Sequence, residues 1–331
     1  MATDDTTDIQ PAPIAAAGLA GATITAPEDD TSAAALEPVG GGRPPRATRG
    51  PGSLASRITW YLVLSALSLL VLFPIYMLLL RAMSSPLRYI NAGQPLYPVS
   101  IQWDVFSRAF TEAEMGRALG LSFTVTIIIV IAQLITSVLA AYAFAFLEFP
   151  LKRVMFALVI ATLLLPIEVT LIANVQTMFD LNLISVNDPT YLGTLGALTL
   201  PFLATALGVF LIRQGFLGIP AELRDASTLD GYGHLRFLFK VAVPMTRPII
   251  GSFVVISFLG AWNQYVWPRF ATDRNAWQTV QVALRNIGNE NPDQFNLGFA
   301  AAVIAALPLL VLLIFFQRQI VRGLTAGAVK G

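Results

Sequence analysis

Six apolar runs set the frame of this chain: 58–80, 121–146, 154–177, 190–211, 248–266 and 297–316. Each is near the ~20 residues that a helix needs to cross a bilayer. The segments between them are polar and of unequal length. The first connection carries Pro86, Pro95 and Pro98, then a stretch from Asp104 whose Phe106, Phe110 and Ala113 fall on one side of an amphipathic helix. Residues 1–53 are rich in Ala, Pro, Gly, Thr and Asp and nearly free of aromatic residues, a pattern that predicts a disordered tail. The expected fold class is all-α, a polytopic membrane protein with six transmembrane helices over 54–331.

One polar interruption, 218–248, breaks the pattern between the fourth and fifth runs. Inside it helical periodicity returns. Pro220 suits a helix start, where its missing N–H leaves nothing unpaired, and Glu222 places a carboxylate near the positive helix end. Leu223, Ala226 and Leu229 then form an apolar stripe on a short helix. Asp230-Gly231 is a turn signal. A second helix is expected over 232–241, with Leu235, Leu238 and Phe239 on one side and Pro244 ending it. A compact helix–turn–helix between two spans points to a docking element.

Composition agrees with the pattern. The chain is 55% hydrophobic and 12% charged, with mean hydropathy +0.67, whereas soluble domains carry roughly a quarter charged residues. The net charge of +1, spread over loops, gives no stripe for nucleic acid. The absence of cysteine excludes disulfides, thiolate catalysis and cysteine metal sites, and His234, the single histidine, leaves no histidine cluster. The positive-inside bias orients the chain: with the N-terminus inside, 14 Lys and Arg flank the spans on the cytosolic side and 7 on the other. Both termini and the 218–248 interruption are then expected in the cytosol.

There is no Walker loop, no H-E-x-x-H and no G-x-S-x-G, so neither nucleotide binding nor hydrolase chemistry has a motif here. What remains is polar residues inside spans, which are costly in lipid and mark paths or partners. In the third run stand Pro166, expected to kink the helix, and Glu168, Thr170, Asn174 and Gln176. Glu168 either lines a watery passage, pairs with a basic residue of a neighbouring subunit, or sits hydrated at a tilted helix end. In the fifth run stand Trp262, Asn263, Gln264 and Tyr265, followed by Trp267-Pro268. Amides and aromatic faces suit sugar hydroxyls and rings, and Asn263 and Gln264 are expected to face inward. Trp267 is expected in an interfacial aromatic belt. Gln133, Thr136 and Ser137, with Ala140 and Ala141, read as tight helix packing. His234 reads as a solvated loop residue.

The interruption resembles the EAA loop of binding-protein-dependent ABC importer permeases. The family pattern is Pro-x-Glu-Leu-x-Glu-Ala-Ala-x-Ile-Asp-Gly, then an apolar stretch ending Leu-Pro. Here it stands as Pro220, Glu222, Leu223, Asp225, Ala226, Ser227, Leu229, Asp230 and Gly231, and later Val243-Pro244. Asp225 and Ser227 depart from the pattern but keep charge and size. The resemblance covers roughly 55–331 and lies nearest the carbohydrate-type permeases. The runs LLPIEVTLIANVQTM, FLIRQGF and GAWNQYVWP look most like glycerol-3-phosphate or glycerophosphodiester permease subunits.

The resemblance implies a heterodimer with a second permease, a cytosolic ABC ATPase dimer, an extracytoplasmic solute-binding protein and residence in the bacterial cytoplasmic membrane. It implies no cofactor on this chain, ATP and Mg being bound by the ATPase. Leu223, Ala226 and Leu229 would then be the face buried in the ATPase. Glu222, Asp225 and Asp230 would supply polar contacts or caps, and Gly231 the turn. A secondary transporter or channel using Glu168, or a membrane enzyme acting on a lipid-linked substrate, are the competing classes; the first leaves the helix–turn–helix without a role, and the second lacks a paired carboxylate or metal cluster.

Overall fold

The structure is a computed structural model that describes residues 54–111, 113–184, 190–272, 277–290 and 292–326. The tail expected over 1–53 lies outside them. The chain divides into two units, Met1–Trp60 and Tyr61–Gly331. Only the start of the first helix is described in the first unit; the packing below belongs to the second.

The elements run α1 (Leu54–Met83), α2 (Pro86–Asn91), α3 (Asp104–Thr111), α4 (Met115–Phe146), α5 (Lys152–Ala161), α6 (Ile167–Asp180), α7 (Tyr191–Thr199), α8 (Ala206–Leu217), α9 (Ala221–Leu229), α10 (His234–Phe237), α11 (Val243–Met245), α12 (Arg247–Trp262), α13 (Val266–Ala271), α14 (Val280–Glu290) and α15 (Phe295–Ala326). No strand occurs among the described residues; one isolated bridge joins Ser84 to Ile101. Ser56–Met83, Met115–Phe146 and Phe295–Gln317 are each long and apolar enough to cross a membrane. Three bent helix pairs pass the same test, and counting each pair as one span gives six.

The breaks follow proline. Pro166, extended at φ −66°, ψ 139°, separates α5 and its 3-10 turn from α6, so the expected kink is a full break. The fourth span bends by 50° between Tyr191–Phe202 and Ala206–Leu217, with Pro201 in the 3-10 turn at the bend. It also runs six residues past its expected end at Leu211. Arg213, expected in a loop, therefore lies within α8. Its guanidinium stacks 4.2 Å over the Phe156 ring and its Nε donates to the Phe144 carbonyl at 3.0 Å, the pairing that a cation at a span end needs.

Pro244 does not end its helix. A π turn over Leu238–Ala242 widens the coil and carries the chain through α11, relieving the clash of a proline ring with the carbonyl four residues back. The sharp bend, 81°, comes at Thr246. The buried side is Phe237, Leu238 and Ala242, while Leu235 and Phe239 are exposed. In α3 the buried residues are likewise Val105 and Ala109 rather than Phe110, whose ring lies instead over Gly116.

α4 is the helix on which the body is built. Met115 and Ala118 near its start join α3, α12, α14 and α15 in one apolar cluster. Leu121, Val125 and Ile129 pack with α6, α7 and α13. Val138, Ala141 and Tyr142 near its end pack with α8, α10 and α12. At its midpoint Gln133 Nε2 donates to the Phe202 carbonyl at 2.9 Å, and its Oε1 accepts from Ser257 of α12 at 2.7 Å. Thr136 Oγ1 reaches the Leu203 carbonyl at 3.0 Å. These are the carbonyls left without helical partners by the break in the fourth span.

α4 and α8 approach closely at Gly208, where a Cβ would fall on Ser137 Oγ and the Phe253 ring. Gly208→Ala is therefore expected to destabilise the body by about 1–3 kcal/mol, the usual cost of overpacking. Gly120→Ala, on α4 where a Cβ meets nothing within 4 Å, should not. Thermal unfolding of the two variants in detergent checks this. Gln133→Leu should cost about 1–3 kcal/mol by stranding the Phe202 carbonyl.

Candidate functional site

The expected docking helix is α9. Glu222 lies in its first turn, and Pro220 precedes it in an extended conformation. Its C-terminus is closed by the Tyr232 N–H on the Ser227 carbonyl at 2.9 Å and the Gly231 N–H on the Thr228 carbonyl at 3.0 Å. This reciprocal pair requires a left-handed residue, and Gly231 supplies it at φ +72°. The stripe picked out by periodicity faces away from the body: Leu223 is 42% and Leu229 90% exposed, and Ala226, Glu222, Asp225 and Asp230 are exposed with them. Ser227 points the other way. It is buried and its hydroxyl donates to the Arg224 carbonyl at 2.7 Å. Substitution of the second Ala by Ser thus falls on the face turned to the body and leaves the open stripe unchanged.

Behind α9 lies a cleft of about 390 Å³, lined among others by Tyr142, Glu148, Arg224, Thr228, His234 and Phe237. His234 is not simply solvated: its Nδ1 lies 3.0 Å from the Tyr142 hydroxyl. Tyr142 is buried and stands among Phe146, Phe216 and Phe237. Lys152 caps the end of α4 by donating to the Leu147 carbonyl at 2.7 Å.

The opposite end of α4 adjoins the polar residues of the fifth span. Trp262 is 1% exposed; it stacks on Phe258 and donates Nε1 to the Ala305 carbonyl at 3.3 Å. Trp267 is 2% exposed and donates to the Ala197 carbonyl at 3.1 Å. It therefore belongs to the interior and not to a lipid-facing belt, because α13 folds back against α7 and brings the indole to a free carbonyl. Asn263 ends α12, donating to the Leu259 carbonyl at 2.9 Å. Its Oδ1 lies 3.3 Å from Gln281 Nε2 on α14. Gln264 Oε1 is enclosed and takes no hydrogen bond among the described residues. Tyr265 is partly open. Asn174 is half-buried on α6, which packs on α13 through its own apolar face. The side chain of Glu168 lies outside the described residues.

The structure thus brings Asn263 together with Gln281, a residue that sequence reading passed over. The signal for its helix was present: Val280, Ala283, Leu284 and Ile287 repeat at helical spacing, and three of them are buried.

The described residues form a helical body with broken, apolar spans and, outside it, a short capped helix with an exposed apolar stripe, the arrangement of a membrane subunit. Residues 133–326 match the family model of the binding-protein-dependent transport system inner membrane component, and the chain belongs to that family. It is similar to the sn-glycerol-3-phosphate transport system permease protein of Yersinia pestis, 32% identical over 77% of this chain and 91% of that one. The same-named protein of Rhizobium meliloti is 32% identical over 81% of this chain and 96% of that one. The arabinooligosaccharides transport system permease protein of Halalkalibacterium halodurans is 29% identical, covering 83% and 97%. Among solved structures, a bacterial ABC transporter involved in the import of the acidic polysaccharide alginate aligns with TM-score 0.65 at 21% identity, over 81% of this chain and 98% of that one.

Membership makes the chain an ABC permease subunit of the inner membrane, not an enzyme and not a self-sufficient carrier. It works with a solute-binding protein, a second permease and an ATPase.

Gly231→Ala places a Cβ in the left-handed region, a cost of about 1–2 kcal/mol. It should loosen the end of α9 and speed tryptic cleavage after Arg224 or Arg236 on the order of tenfold. An unchanged digestion rate would show that the turn does not depend on glycine.

Proposed function

We propose that this subunit carries a polar solute across the cytoplasmic membrane by alternating access, with α9 as the coupling helix seated in a cleft of the ATPase. The observation that carries this reading is α9 itself, built and capped, with Leu223, Ala226 and Leu229 unclaimed by its own chain. Burying such a stripe is worth roughly 25 cal/mol per Å² removed from water. Glu222, Asp225 and Asp230 flank it as polar rim, and Gly231 supplies the left-handed residue of the closing turn. The excess of basic residues around the loop and both ends of the chain supports N-in, C-in topology. ATP and Mg are held by the ATPase and this chain needs no cofactor of its own. ATP binding closes the ATPase dimer, draws the coupling helices together and rocks the spans between two packed states.

The solute is a small polyhydroxy compound: glycerol-3-phosphate, a glycerophosphodiester or a sugar. The names of the relatives support this range, and so does the amide-rich end of the fifth span. Asn263 and Gln264 each offer donor and acceptor together, the complement of a hydroxyl. Tyr265, Asn174 and Glu168 are assigned to the path or its lining, and Trp262, buried, to the packing behind it. Binding measurements on the cognate solute-binding protein, with glycerol-3-phosphate and with an oligosaccharide, separate the solutes.

Asp225→Lys and Gly231→Pro test the docking role. Both variants should insert in the membrane at the level of the unmodified chain and lose co-purification of the ATPase. Full retention of the ATPase by both would sink the assignment of α9.

A further inference from the structure

α9 is attached to the body weakly. Ser227 is its only buried residue, and the link to α10 runs through Gly231 and Gly233, at which a Cβ would meet nothing within 4 Å. These glycines therefore serve no tight packing; Gly231 is there for its left-handed φ of +72°, and the Gly233 carbonyl accepts from the Phe237 N–H at 2.9 Å. Immediately after them comes His234, at the first position of α10. Among the described residues, its contact with the Tyr142 hydroxyl is the one side-chain hydrogen bond between 218–245 and another membrane helix. Tyr142 is firmly held. It is buried, and its ring meets Phe146 at 5.2 Å, Phe216 at 6.5 Å and Phe237 at 6.5 Å. It sits one turn from the end of α4, the 32-residue helix that joins all three apolar clusters.

We propose that the Tyr142–His234 pair is the strut through which displacement of the docking helix moves the second span. The proposal rests on the reading of α9 as the ATPase docking helix, and assigns Tyr142 and His234 as positioning residues rather than docking ones. A short hydrogen-bonded turn followed at once by a directional bond to a buried side chain of α4 passes displacement to that helix. Without the bond, only the apolar contacts of Phe237 with Tyr142 and Phe146 tie the loop to α4, and these carry no direction. The competing route runs along the backbone, from α10 through the π turn into α12, and bypasses Tyr142.

The chain contains no cysteine, so one can be introduced as a reporter. Gly120→Cys places a thiol on an exposed site near the far end of α4, where a Cβ meets no neighbour. The complete complex with second permease, ATPase and solute-binding protein is reconstituted in vesicles. The rate of maleimide labelling of this chain is then read with and without ATP.

Tyr142→Phe and His234→Ala should each shrink the ATP-dependent change in rate about three- to tenfold, the range that one hydrogen bond spans. The double variant should do no more than either alone. His234→Asn, whose amide overlays the ring Nδ1, should restore most of the response. The ATPase should co-purify at full level in every case, since the α9 stripe is untouched. A full response in Tyr142→Phe with the ATPase bound overturns the strut and leaves the backbone route. Failure of the ATPase to co-purify with the unmodified chain overturns the docking reading, and the strut with it.

Discussion

A peptide carbonyl inside a bilayer must find a donor, because lipid offers none and the unmet group costs several kcal/mol. The broken fourth span creates this problem at Phe202 and Leu203, and α4 solves it with Gln133 and Thr136. The solution fixes more than the break. Gln133 also holds Ser257 of α12, so one amide sets the spacing of three spans. Gly208 then permits the close approach of α8 that brings those carbonyls within reach. Helix breaks, small residues and amides form one dependent set, in which changing one member strands the others.

The same helix joins two functional ends. At one end Tyr142 meets the loop that bears α9. At the other, Phe123 packs edge-on against Trp262 at 5.0 Å, beside the Asn263–Gln281 contact. The buried tryptophans act here as fixtures, each tying its indole N–H to a carbonyl of another helix. The amides next to them are the groups with hydrogen-bonding capacity to spare, Gln264 Oε1 above all. Two buried tryptophans thus bracket a pair of amides along Trp262–Trp267.

Hydropathy alone located the long helices, because a 20-residue apolar run has few other uses. The cap of α9 was legible too, since Pro220, Glu222 and Asp230-Gly231 act through the local backbone. The failures share a cause. Whether Pro244 ends a helix depends on a π turn that no residue announces. Whether Phe110 or Ala109 is buried depends on which neighbour arrives, as Gly116 shows. Trp267 has the composition of a lipid belt, and only the fold of α13 against α7 takes it inside. His234 is exposed, as read, but opens a helix and meets the Tyr142 hydroxyl, which the sequence hides because Tyr142 lies 92 residues away. Gln133 and Thr136 do serve helix packing as read; what the sequence hides is that Gln133 does so through a carbonyl opened by a break elsewhere, with Thr136 placed between the Ala132 and Leu203 carbonyls.

α1 stands apart from all this. Every residue over 61–76 is exposed within the chain, and apolar side chains cover its whole circumference. Over this stretch the helix rests on hydropathy and backbone hydrogen bonds; only its end, at Leu80 and Ala82, packs on the body. The two parts of the chain therefore drift under different rules. Positions 61–76 of α1 tolerate exchange of one apolar residue for another wherever no other subunit touches them, while the buried positions of α4, and Ala82 at the end of α1, do not. Related sequences should diverge fastest along α1 with hydropathy preserved, and a position there that resists change would mark the line where another subunit lies against it.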